Sequence, residues 1–252
     1  MNDIAYRWRH HRLEPITHPQ TVRLEQLCGI DRQKDALQQN TDQFVQGRPA
    51  NHALLTGARG TGKSSLVKAM LTAYHEQGLR LVEVQPHDLT DLPDVTEPLR
   101  ARRNERFVLY VDDFSVAAGD TRLTALKTAL DGGIEEPPDN VLIYATSNRR
   151  HLVPELAKEN QAYQWDDGEL HPGETTEEKI SLSERFGLWL SFLPFTQDQY
   201  LESVRLHLST LGLDTWTSEI EVHALRWALN RASRSGRVAR QFARDWVGRH
   251  PV

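Results

Sequence analysis

Apolar positions fall in two rhythms along this chain. Four short continuous runs, His52–Thr56, Leu79–Val84, Phe107–Val111 and Val141–Ala145, are rich in Val, Leu and Ile. Runs of this length and continuity suit strands buried on both faces of a parallel sheet. A fifth run, Leu188–Leu193, stops at Pro194. Segments with helical spacing lie before and between the runs: Leu24–Phe44, Lys63–Glu76, Leu92–Arg102, Arg122–Asp131 and Leu152–Glu159. Strand and helix in alternation predict an α/β sheet with crossover helices.

Beyond Pro194 only the helical rhythm remains. Thr196 and Gln199 form a capping-box pattern, which marks a helix start. Leu201, Val204, Leu208 and Leu211 then make one stripe, Ile220, Leu225 and Leu229 a second, and Val238, Phe242 and Trp246 a third. The stretch from Gln161 to Thr176 is polar and acidic and reads as a surface loop or lid. The first 25 residues carry Pro15 and Pro19 without an apolar period, so they read as an extended basic arm. The expected organisation is an arm over 1–25, an α/β domain over 26–195 and a helical domain over 196–252. No internal repeat is visible.

Composition narrows the class. Of 252 residues 38% are hydrophobic and 26% charged, which supports a core and argues against gross disorder. The longest apolar stretch, Phe186 to Phe195, is interrupted by Gly187, Ser191 and Pro194, too short for a membrane span. The polar, basic N-terminus has no apolar core of a secretory signal. The single cysteine, Cys28, excludes an intrachain disulfide or a thiolate metal cluster within one chain. The expectation is a cytoplasmic protein with no membrane association. A formal charge of -5 disfavours a dedicated nucleic-acid module. Eleven histidines show no zinc-ligand spacing. The arm mixes Arg7, Arg9, His10, His11 and Arg12 with Tyr6 and Trp8, a composition that can stack on single-stranded nucleic acid or stay solvated or pack on a neighbouring subunit.

Three segments carry chemistry. Gly57-Ala58-Arg59-Gly60-Thr61-Gly62-Lys63-Ser64 matches G-x-x-x-x-G-K-[ST], with an apolar run before it and a helical segment after it. Glycines let backbone N–H groups turn inward around phosphate oxygens, and the following helix presents its positive end. Lys63 is placed to reach the β- and γ-phosphates of a nucleotide, and the Ser64 hydroxyl to take Mg²⁺. Ser65 follows in the same helix start. About fifty residues downstream, Phe107–Val111 ends in Asp112-Asp113, which puts carboxylates at the carboxyl edge of a sheet, where α/β folds bind ligands. Asp112 is expected to hold Mg²⁺ and Asp113 to polarise the attacking water. Val141–Ala145 continues into Thr146-Ser147-Asn148. Asn148 either orients water near the γ-phosphate or caps the next turn.

In this order the three segments resemble the AAA+ ATPases, from about Leu24 to Phe242. The resemblance implies a P-loop NTPase three-layer sandwich, a central parallel sheet of order 5-1-4-3-2, a small C-terminal helical lid, and ATP with Mg²⁺ as ligands. Leu27-Cys28-Gly29-Ile30-Asp31 is similar to the segment that lines the adenine pocket in that superfamily, which implicates Ile30. Val111-Asp112-Asp113-Phe114 and Ser183-Glu184-Arg185-Phe186-Gly187 resemble the bacterial replication-initiator and helicase-loader branch. The runs Ala58–Ala69 and Tyr144–Leu152 resemble an uncharacterised family of bacterial ATP-binding AAA+ proteins. By the same resemblance Arg185 matches an arginine finger that acts on a neighbouring subunit, with Arg149 and Arg150 competing for that role. Arg237, in Ser235-Gly236-Arg237, matches the lid arginine that contacts phosphate, with Arg240 one turn on as the runner-up. The usual acid pair of the superfamily is Asp-Glu. Here it is Asp112-Asp113, and the shorter second acid implies slow hydrolysis.

The implied function is an ATP-hydrolysing homo-oligomer that remodels or loads a macromolecular partner, which the sequence does not name. The alternative is an ATP-dependent binding or scaffold module with little turnover.

Overall fold

The four central apolar runs do become adjacent buried strands, because each is apolar on both faces. The computed structural model describes residues 3–114, 120–132, 136–148, 164–166, 169–171 and 184–250. Nine strands occur there: β1 (Ala5–Arg9), β2 (Arg12–Pro15), β3 (Ala53–Gly57), β4 (Leu79–Glu83), β5 (Arg106–Val111), β6 (Val141–Ser147), β7 (Gln164–Asp166), β8 (Glu169–His171) and β9 (Leu188–Phe192). The main helices are α1 (Asp31–Val45), α2 (Lys63–Tyr74), α3 (Leu92–Arg100), α4 (Thr121–Asp131), α5 (Gln197–Thr210), α6 (Ser218–Asn230) and α7 (Gly236–Arg249). The helix expected over Leu152–Glu159 lies outside the described residues, as does most of the acidic stretch, of which only the short antiparallel pair β7–β8 is described.

Seven strands form one sheet in the order β2-β1-β4-β5-β6-β3-β9. Its five expected strands run β9-β3-β6-β5-β4, all parallel, which is the 5-1-4-3-2 order. The difference lies at the edge beside β4, where β1 adds in parallel and β2 in antiparallel. The N-terminal segment is therefore a hairpin in the sheet and not a free arm. Its apolar signal is Tyr6 and Trp8 alternating with Arg7 and Arg9, a strand period over a very short run. The turn hides it further. His10 and His11 both adopt positive φ, 51° and 54°, at a two-residue connection where Asn-Gly is the usual signal.

The helices cover the two faces. Leu55, Val108, Leu142 and Tyr144 pack with α1 and α2, while Leu54, Leu109 and Ile143 pack with α3 and α4. The first of these cores continues through Leu190 and Phe195 into Tyr200, Val204, Ala224 and Phe242 of the C-terminal helices. The stripe of α6 is Ile220, Ala224 and Ala228, and Leu229 is exposed instead. The pattern over Leu24–Phe44 splits at Gly29, whose φ is +72°, into a single 3₁₀ turn over Leu24–Gln26 and α1.

Candidate functional site

The turn after β3 is closed against the neighbouring strand. Gly57 has φ +131°, and a Cβ there would lie 2.0 Å from the Phe192 carbonyl oxygen, so only glycine fits. The Ala58 N–H donates to that same carbonyl at 3.3 Å, and the Thr61 hydroxyl donates to the Ala58 carbonyl at 2.8 Å. Arg59 is exposed at the tip, and Ser65 lies in the first turn of α2. Two helix starts meet on this turn. One is α2. The other is α7, whose Ser235 side chain caps its own helix and whose Ser235 and Arg237 press on Gly60: a Cβ at Gly60 would meet the Ser235 Oγ at 2.8 Å and the Arg237 Cβ at 3.2 Å. Ile30, buried at the start of α1, reaches the turn at Gly62.

Lys63 sits at the centre. It is 5% exposed, and its three donors are all used: on the Gly57 and Ala58 carbonyls at 2.8 Å each and on the Asn148 Oδ1 at 3.1 Å. Burial lowers its pKa to about 8, against the opposing pull of Asp112 and Asp113 and with the help of Arg237 and Arg59.

The two acids are held differently. Asp112 Oδ1 accepts from the Ser64 hydroxyl at 2.8 Å and from the Thr146 hydroxyl at 2.6 Å. Burial works to raise its pKa, but the hydroxyls of Thr146, Tyr110 and Ser64 and the Lys68 cation outweigh it and hold the carboxyl below its ordinary value. Asp113 is exposed and lies in the left-handed region at φ 53°, a conformation that costs a non-glycine residue about 1 kcal/mol. Hydrogen bonds to β6 enforce it: the Asp113 N–H donates to the Thr146 Oγ1 at 3.0 Å, and the Phe114 N–H to the Thr146 carbonyl at 2.7 Å. The Asn148 amide donates to the Asp113 carboxylate. Asn148 thus bridges Lys63 and Asp113.

Nucleotide and magnesium fit these residues. A buried cation beside two helix N-termini suits phosphate. One carboxylate with one hydroxyl suits Mg²⁺, which keeps water and borrows phosphate oxygens, and no cluster of three His, Cys, Asp or Glu exists among the described residues to build an all-protein metal cage.

The remaining expected residues lie elsewhere. Arg185 pairs with Asp131 at the C-terminal end of α4, at the amino edge of the sheet. A five-residue strand separates that edge from the turn after β3, roughly 16 Å away. Arg240 is exposed on α7 beside His207 and not at Gly60. Arg149 and Arg150 lie outside the described residues. The arm's chemistry changes most. Trp8 is buried, and its indole donates to Asp91 at 3.0 Å, so it does not offer a stacking face. Arg7 pairs with Glu83, Arg12 with Glu14 and His11 with Asp91.

Two residues at the site carry no motif. Thr146 bridges the acid pair, and its position two residues before Asn148 on an apolar run is the sole hint in the sequence. Tyr110, two residues before Asp112, is buried with its hydroxyl beside Asp112 and Ser64, and burial together with the Asp112 charge pushes its phenol above the ordinary value.

A family model described as "Protein of unknown function (DUF815)" matches residues 1–250. Among solved structures, a mutant of RuvB from Thermotoga maritima is similar at 16% identity and a TM-score of 0.56, over 91% of this chain and 67% of that one. A second mutant of the same protein gives 14% identity and a TM-score of 0.50, over 87% and 70%. No curated protein matches the chain. No helix among the described residues is long and apolar enough to cross a membrane.

Proposed function

The chain belongs to the DUF815 family, its fold is that of the AAA+ P-loop ATPases, and we propose that it binds ATP with Mg²⁺ and hydrolyses it slowly as a homo-oligomer that acts on a macromolecular partner. The observation that carries this reading is the continuous chain from Lys63 through Asn148 to Asp113 beside the Ser64–Asp112 pair. A phosphate binder and a water-activating acid are joined by one amide.

In this reading the triphosphate enters the turn between the starts of α2 and α7. The Lys63 ammonium leaves the Gly57 and Ala58 carbonyls for the β- and γ-phosphates, so a dipolar partner is exchanged for an anionic one. Ser64 and Asp112 would hold magnesium, which would neutralise phosphate charge. Asp113, aimed by its left-handed backbone and by Asn148, accepts hydrogen bonding from the attacking water and takes its proton. Arg237 reaches the phosphates from α7, a role that its contact with Gly60 supports over Arg240. Ile30 borders the base.

Arg185 cannot reach its own chain's phosphate across the length of a strand. In an oligomer it serves the next subunit, and its pairing with Asp131 must be given up there. The exposure of Asp113, together with its short side chain, favours low turnover and keeps the switch-like alternative open to test. The hairpin ion pairs argue that β1–β2 is a structural edge and not a nucleic-acid arm.

Calorimetric titration with ATP and Mg²⁺ tests the reading. Wild type should bind and Lys63→Ala should lose tight binding. Equal affinity in the two would overturn it.

A further inference from the structure

Two tyrosines lie side by side on one face of the sheet, Tyr110 on β5 and Tyr144 on β6, paired in register and buried in the same core. Tyr144 is fully served. Its hydroxyl accepts from the Asn40 amide at 3.1 Å and shares a hydrogen bond with the Thr41 hydroxyl at 2.9 Å. Tyr110 is 2% exposed, and its hydroxyl has no hydrogen-bond partner among the described residues. Such a buried, unpaired donor is costly and rare in a folded interior. Phenylalanine would fill the same volume without that cost.

The position of the hydroxyl gives it a use. Tyr110 lies two residues before Asp112 at the end of β5, and its oxygen is close to the Asp112 carboxylate and the Ser64 hydroxyl but outside the geometry of a hydrogen bond to either. Asp112 Oδ1 is meanwhile engaged by Ser64 and Thr146. In the proposed function Ser64 turns its oxygen to a metal ion. Asp112 then keeps Thr146 and loses its other hydroxyl donor.

Resting on that reading of the site, we infer that Tyr110 is a positioning residue: its hydroxyl takes over from Ser64 as the donor that orients the Asp112 carboxylate when Ser64 and Asp112 hold magnesium. The group acts through Asp112 and touches neither nucleotide nor metal. The exchange leaves the number of hydrogen bonds on Asp112 unchanged while relieving the buried phenol.

The test is Tyr110→Phe in the full chain, with a fluorescent ATP analogue titrated at a series of Mg²⁺ concentrations. Nucleotide affinity without Mg²⁺ and the melting temperature should stay at wild-type values or rise. The Mg²⁺ concentration for half-maximal enhancement of binding should increase about tenfold, the order set by one hydrogen bond to a charged group. In an Asp112→Asn background the same change should have no further effect. Unaltered Mg²⁺ dependence in Tyr110→Phe overturns the inference while leaving nucleotide binding in place. A wild-type protein that binds no nucleotide overturns both. If Tyr110→Phe does not fold, the Raman doublet of an isotope-labelled tyrosine in wild type decides: it should report a newly donated hydrogen bond when Mg²⁺ is added to the nucleotide complex, and an unmoved doublet overturns the inference.

Discussion

The Asn148 side chain donates to the Asp113 carboxylate from its nitrogen while its oxygen accepts from Lys63. One amide therefore ties the Lys63 ammonium to the Asp113 carboxylate, and its own orientation is fixed because it has a donor on one side and an acceptor on the other. Asn148→Ala should leave nucleotide binding within a few-fold of wild type and lower the steady-state rate by roughly 10–100-fold. Asp113→Asn should go further, by about 10²–10⁴, since the amide cannot take the proton. A rate in Asn148→Ala equal to wild type would show that Asp113 orients itself.

Lys63 predicts a proton linkage. In the free protein burial lowers its pKa to about 8. Bound phosphate favours the ammonium and raises that value. Near pH 7 Lys63 is charged in both states, so binding takes up little. Near pH 9 the free lysine is mostly neutral, and binding should take up close to one proton, about tenfold in affinity being lost per unit of pH above 8. Calorimetry in two buffers of different ionisation heat measures the uptake directly. No uptake at pH 9 would mean that the ammonium is not the phosphate ligand.

Gly60 links the turn to the C-terminal helices. Gly60→Ala introduces a side chain at φ +77° into the Ser235 hydroxyl and the Arg237 stem. It should destabilise the fold by about 1–3 kcal/mol and weaken nucleotide binding by moving Arg237. A thermal melt and a nucleotide titration check both effects. An unchanged melting temperature would show that α7 docks less tightly on the turn than the contacts indicate.

His52 and His207 set an acid limit on stability. Burial lowers both to about 4, with Arg240 and Arg244 adding to the effect at His207. The unfolded chain binds protons near pH 6.5 and the folded chain does not, so stability is full above that value and falls as pH drops from 6.5 toward 4. Each histidine contributes up to about 3 kcal/mol to that loss. The His52 Nδ1 accepts from the Ile143 N–H at 3.0 Å, which an asparagine oxygen can replace. His52→Asn should therefore match wild type at pH 7.5 and lose less stability by pH 4.5 in urea titrations. Equal loss would assign the acid limit elsewhere.

Arg185 and Asp131 predict a concentration effect. If the arginine serves a neighbouring subunit, ATPase activity per chain should rise with protein concentration, and Arg185→Ala should abolish the rise. Trans arginines in phosphoryl transfer are worth about 10³–10⁵ in rate. Mixing Arg185→Ala with Asp113→Asn subunits should restore part of the activity, because one interface then pairs an intact acid with an intact arginine. Co-assembly without restored activity would leave Arg149 and Arg150 as the next residues to vary.

Among the described residues the order of the central strands and the Gly57–Ser64 turn were legible in the sequence, because both are written in local patterns. Each central strand is a continuous apolar run, and the Gly57–Ser64 motif is a contiguous backbone device. The hairpin at β1–β2 was less legible, since its turn uses two histidines at positive φ and its strand signal is only Tyr6 and Trp8. What joins Asn148 to both Lys63 and Asp113 was decided by the register of β5, β6 and β3, which no local pattern encodes. The approach of Arg237 to Gly60, the pairing of Arg185 with Asp131, and the Tyr110 hydroxyl beside Asp112 also depend on how sheet, helices and C-terminal bundle pack. A residue's type and period set which face it occupies. Which partner waits across that face is fixed only when distant segments share one core.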